Sequence, residues 1–130
     1  MDASCEVRLT RYYRAAPDEV WAALTDSDSL ARWLAQPGEL DLRRGGSFEL
    51  QFQNGNRING QVRSVEPSRL LELDWAASGE EPSIVRFELS ADGGGTVLVL
   101  DHRLIDARVG MRYMARWERH LGRLDAVVER

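Results

Sequence analysis

The sequence predicts an α+β domain in which one antiparallel sheet is covered on one face by a single long helix. Three observations lead there. One amphipathic strand stands alone at the start, two short helical segments follow it, and six strand-like segments then run into a long amphipathic helix. A sheet with one apolar face has to bury it, and the last helix is the element long enough to do so. At 130 residues the chain reads as a single domain, residues 1–130, large enough to hold a core without cross-links.

The opening strand spans about Cys5 to Tyr13. Cys5, Val7, Leu9, Arg11 and Tyr13 alternate against Glu6, Arg8, Thr10, Tyr12 and Arg14, which is the period of a half-buried strand. Pro17 suits a first helical turn, and Asp18 and Glu19 sit at the positive end of the helix dipole. Val20, Trp21 and Leu24 form the apolar face of that helix. Asp26 caps the next one, whose inward residues are Leu30, Trp33 and Leu34. Trp21 is expected in the core and Trp33 against a ligand.

Pro37-Gly38 is expected to end the helical run. The strands are placed at Glu39 to Arg43, Ser47 to Gln53, Arg57 to Val65, Leu70 to Ala76, Ser83 to Leu89 and Thr96 to Leu104. Short turns rich in Gly, Asn and Pro join them, so the sheet should be an antiparallel meander. Gly60, inside a strand pattern, marks a bulge or bend that curls it. The inward phase holds Phe48, Leu50, Phe52, Leu71, Leu73, Trp75, Val85, Phe87, Leu89, Leu98, Leu100 and His102. The opposite phase is largely polar, including Glu49, Glu72, Asp74, Arg86 and Glu88. The last helix, about Val109 to Val128, gathers Tyr113, Met114, Trp117, Leu121, Leu124 and Val128 on one side. Arg108, Arg112, Arg116, Arg119 and Arg123 form a stripe on the other.

Composition excludes several functions. A net charge of −4 is the wrong sign for a nucleic-acid footprint. No apolar run reaches the length of a membrane span, and the N-terminus lacks the pattern of a signal peptide. With Cys5 as the single cysteine, no internal disulfide can form, and a cytoplasmic location is expected. All 17 basic residues are arginine, so lysine chemistry is out. Two histidines and one cysteine, far apart, offer no zinc-type spacing, and no metal or cofactor is expected.

Several pieces, in order, resemble a known family. They are Val20-Trp21-Ala22-Ala23-Leu24-Thr25-Asp26, Ala31-Arg32-Trp33-Leu34, Leu42-Arg43-Arg44-Gly45-Gly46-Ser47-Phe48, Gly60-Gln61-Val62 and Val65-Glu66-Pro67-Ser68-Arg69-Leu70, continuing through Gly94-Gly95-Thr96 to His102 and Trp117. With them the chain resembles the activator of heat-shock protein 90 ATPase homologue family, within the START-like (SRPBCC, polyketide-cyclase) superfamily. The resemblance implies a helix-grip fold: a curved seven-stranded sheet wrapped around the C-terminal helix, two short helices after the first strand, and an apolar cavity inside. The co-chaperone that names the family carries a separate chaperone-binding domain, for which 130 residues leave no room. Its activity is therefore not expected from the name.

Under that fold the expected function is binding of a hydrophobic or aromatic small molecule in the cavity between the sheet and the last helix. The candidate lining is Arg11, Tyr13, Trp33, Trp75, Phe87, His102, Tyr113, Met114 and Trp117. The alternatives are a cyclase- or hydratase-like enzyme with His102 or Tyr13 as acid or base, and a protein-interaction module. No catalytic residue is assigned, because no carboxylate is placed beside His102 on the inner face. The arginine stripe is read either as a solvated face or as a contact for an acidic partner or a second copy. His120 is expected half exposed at the edge of the apolar face.

Overall fold

The computed structural model describes residues 3–128. Strand β1 (Ser4–Tyr13) leads to α1 (Pro17–Thr25) and α2 (Ser27–Trp33). Then come β2 (Gln36–Leu40), β3 (Ser47–Gln51), β4 (Arg57–Glu66), β5 (Leu70–Ala77), β6 (Ser83–Asp92) and β7 (Gly95–Asp106). A short 3-10 turn (Ala107–Val109) turns the chain into α3 (Gly110–Val128). The strands form one curved antiparallel sheet in the order β1-β7-β6-β5-β4-β3-β2. It is a meander from β2 to β7, with β1 added beside β7, and it is the helix-grip arrangement.

Local signals hold where they were strongest. Pro17 sits in the first turn of α1, and the Asp26 carboxylate accepts from the Ser29 amide at 3.0 Å as the α2 cap. The alternating apolar residues of β3, β5, β6 and β7 are buried, Phe52 excepted, which lies half-buried just past β3. α3 buries Tyr113, Trp117, Leu121 and Leu124 against the sheet, each contributing roughly 1.5–3 kcal/mol by area.

Three features differ from expectation. β2 starts before the expected Glu39 and stops before Arg43: Pro37 and Gly38, beyond the end of the helical run, lie within it, and it pairs with β3 at Gln36↔Gln51 and Pro37↔Leu50 and runs irregularly to Leu40↔Phe48. An edge strand tolerates a residue with no N–H to donate. Gly60 is not itself the bulge. The extra residue is Arg63, between the pairs Val62↔Leu73 and Ser64↔Glu72, while Gly60 lets the Asp74 carbonyl approach where a Cβ would collide with it. Trp21 is only half-buried, and Val20, Ala23 and Leu24 carry the burial of α1.

The wet face of the sheet is an ion network centred on Glu72, which is itself buried. Its carboxylate receives Arg63, Arg86 and Arg103, each at 3.3 Å. A second bulge, in β7 opposite Cys5 and Val7, puts Leu104 at φ 62° with its side chain exposed.

Candidate functional site

Most of the space between sheet and helices is filled. A void of about 20 Å³ lies among Leu30, Trp33, Phe48, Leu73 and Phe87, room for about one water and almost wholly apolar. An open pocket of about 170 Å³ lies instead at one end of the sheet. Topology dictates which end. In a meander alternate turns fall together, so the β3–β4 turn and the β5–β6 loop share an end, and β7 delivers the start of α3 to the same place.

The pocket is built from these three pieces. Phe52, Asn54 and Asn56 come from the β3–β4 turn, and Trp75, Ser78 and Glu80 from the end of β5 and the loop after it. Arg112, Tyr113, Arg116, Trp117 and His120 come from α3. The aromatic wall is continuous: Trp75 lies 5.5 Å from Trp117 and 6.4 Å from Phe52, between ring centroids. The Tyr113 hydroxyl donates to Glu80 at 2.6 Å, tying the β5–β6 loop to the helix. Burial first, and then Glu80, raises the pKa of this phenol, so it stays protonated.

One polar atom of the wall has no hydrogen-bond partner among the described residues. Trp75 is buried, yet its indole Nε1 makes no hydrogen bond among the described residues. It lies near the Tyr113 hydroxyl, whose pKa it acts to lower. The other two buried indoles are engaged. Trp33 Nε1 donates to Ala23 O at 2.8 Å, and Trp117 Nε1 donates to His102 Nδ1 at 3.0 Å. A buried donor left unpaired costs about 1–3 kcal/mol, so the Trp75 N–H is a standing preference for an acceptor.

His102 lies behind this wall, fully buried. Because Trp117 donates to Nδ1, the proton of the neutral ring sits on Nε2, which lies 2.7 Å from Ser83 Oγ; Ser83 in turn donates to Trp75 O at 3.3 Å. Burial drives the His102 pKa down to about 3. Both ring nitrogens are thus occupied, and the ring is a neutral connector. His120 is buried rather than half exposed. Its Nδ1 donates to Trp33 O at 3.3 Å, closing the C-terminal end of α2, and burial lowers its pKa to about 4.

Of the residues anticipated for the site, the structure brings Trp75, Tyr113 and Trp117 together at the open pocket. Trp33 and Phe87 meet edge to face at 6.4 Å in the filled core. Trp33 is therefore a core residue, because its indole supplies a donor to the last turn of α1. Tyr13 is buried with its hydroxyl donating to Leu121 O at 2.9 Å. Arg11 folds back on Thr10 O at the surface, and Met114 packs half-buried beside the core. Neither Arg11, Tyr13, His102 nor Met114 lines the pocket.

The residues missed are Phe52 with Asn54 and Asn56, Glu80, Arg112, Arg116 and His120. The signal for the arginines was present. Arg112 and Arg116 immediately precede Tyr113 and Trp117, so they flank the apolar arc and do not oppose it. The stripe is accordingly divided. Arg108 pairs with Asp106 at 2.7 Å, Arg112 and Arg116 line the pocket, and Arg119 and Arg123 face solvent.

Comparison with known proteins gives a consistent picture. The family model described as Activator of Hsp90 ATPase homolog 1-like protein matches residues 14–129. CalU16 from Micromonospora echinospora is similar at 31% identity with a TM-score of 0.84, over 99% of this chain and 87% of that one. DynU16, from the dynemicin biosynthetic locus, is 28% identical with a TM-score of 0.85, over 95% of this chain and 47% of that one. The Aha1 dimer from Colwellia psychrerythraea shares the fold at 18% identity and a TM-score of 0.83, over 96% of each chain. No curated protein matches the chain.

Proposed function

The chain belongs to the Activator of Hsp90 ATPase homolog 1-like family, and on that premise we propose that it binds a small aromatic or hydrophobic molecule in the open pocket between the sheet and α3. The observation that carries this reading is the open pocket walled by Phe52, Trp75 and Trp117, where the buried Trp75 indole N–H has no hydrogen-bond partner among the described residues. The rest of the wall supports it. Phe52, Trp75 and Trp117 offer ring faces, and polar groups sit at the rim, the arrangement typical of small-molecule sites. At about 170 Å³ the pocket is slightly larger than the roughly 150 Å³ apolar cavity that accommodates benzene, so it suits one ring with a small substituent.

The test is a titration of small aromatic compounds followed by tryptophan fluorescence, on the native chain and on Trp75→Phe. The expected result is a saturable change that weakens about tenfold when the indole N–H is removed. A full aromatic panel that leaves the emission unchanged would sink the reading. Acid–base chemistry through His102 or Tyr13 finds no support in the geometry, because both groups are tied to protein partners away from the pocket.

A second reading, self-association, is favoured by the Colwellia relative, which is a dimer. It expects a solution mass twice the 14.7 kDa of the chain. A native chain that runs as a monomer removes it.

A further inference from the structure

We propose that the occupant of this pocket is an aromatic anion: a single ring whose carboxylate, or an equivalent acidic group, is held by Arg112 and Arg116. The inference rests on the pocket reading above and adds the charge class of its ligand. Arg112 and Arg116 stand one helical turn apart on α3, and both line the pocket. Among the described residues neither has a salt-bridge partner, which they share with Arg8, Arg11, Arg32, Arg44, Arg57, Arg119 and Arg123, but these two alone among the arginines line this pocket. Arg116 is half-buried over the Tyr113 ring, with its guanidinium carbon 5.6 Å from the ring centroid. Like charges at this spacing repel, and a shared anion removes that cost.

The one acidic side chain in the lining, Glu80, forms no salt bridge with either. Glu80 already accepts the Tyr113 hydroxyl at 2.6 Å. The lining therefore carries two cations against one carboxylate, which leaves it net positive. An aromatic acid suits that balance. Its ring would lie against Trp75, Trp117 and Phe52, with its carboxylate at the Arg112 and Arg116 side of the pocket, away from Glu80. A guanidinium is also the group best shaped for two-point contact with a carboxylate.

The experiment uses ¹⁵N-labelled full-length protein and three probes of matched shape: 4-methylbenzoate, 4-methylacetophenone and 4-methylbenzylamine. Affinities are read from the indole N–H resonances. Trp75 should move on binding, while Trp117, whose N–H stays on His102, should hold its hydrogen-bonded position. The carboxylate should bind about tenfold tighter than the ketone, with the amine weakest. Added salt should narrow that gap. Arg112→Gln with Arg116→Gln should abolish the preference, weakening the carboxylate about tenfold more than the ketone. Equal binding of carboxylate and ketone would overturn the anion assignment while leaving the pocket reading intact. A carboxylate preference that survives the double substitution would overturn it too. Absence of any Trp75 response to all three probes would overturn both.

Discussion

Trp117 donates its indole N–H to His102 Nδ1 across 3.0 Å at the centre of the domain, and this contact decides what the histidine can do. It sets the tautomer and leaves Nε2 to face Ser83. It also makes protonation unfavourable, since a second proton on Nδ1 would confront the indole N–H. The same contact anchors α3 to β7, so the pocket wall and the core share one hydrogen-bonded spine.

The pH dependence of stability follows from that relationship. The His102 pKa is about 3 in the folded chain, against 6.5 as the reference for an unfolded one. The unfolded state binds more protons between those values. The stabilisation is therefore complete above about pH 6.5 and is lost as pH falls toward 3, with a slope of at most about 1.4 kcal/mol per pH unit. His120, lowered to about 4, acts in the same direction. Urea midpoints should hold steady from pH 8 to 7 and drop between pH 6.5 and 5. In His102→Gln that drop should be visibly shallower.

Trp33→Phe should destabilise the fold by about 1–3 kcal/mol, since it orphans Ala23 O in the last turn of α1. Ligand affinity at the open pocket should not change. Thermal unfolding and the aromatic titration on one sample separate the two effects, and a lost affinity would return Trp33 to the site.

Gly60→Ala should cost about 1–3 kcal/mol or more, because the new Cβ meets the Asp74 carbonyl with Phe48 close behind. Denaturant unfolding reads this directly. A neutral substitution would mean that β4 and β5 separate more easily than their pairing implies.

Glu72→Gln should cost about 1–3 kcal/mol, between the values for exposed and buried pairs, because Arg63, Arg86 and Arg103 then face one another without their shared anion. The loss should be larger at low salt than at high salt. Equal losses at both would assign Glu72 to packing alone.

The sequence showed where alternation or capping is local. The inward phases of β3, β5, β6 and β7 and the Asp26 cap follow from local periods and capping and appear where expected, as do Tyr113, Trp117, Leu121 and Leu124 of the α3 arc, while Met114 and Val128 are half-buried. It was less legible where a residue's role depends on a distant partner. Trp33 and Trp75 look equivalent along the chain, yet one indole donates to Ala23 and the other has no hydrogen-bond partner among the described residues. Glu72 reads as one more wet-face acid, though three arginines from three strands converge on it.

What the sequence by itself determined was the container: seven strands, two short helices, one long covering helix and the face of each that turns inward. Those properties are set within a few residues by pleat, helical pitch and turn chemistry. Only the tertiary structure decided where the container stays open, because that depends on which side chains meet across the sheet. Volume and unpaired polar atoms are sums over several elements, and the space at Trp75 exists because the β3–β4 turn, the β5–β6 loop and the first turns of α3 meet without closing over it.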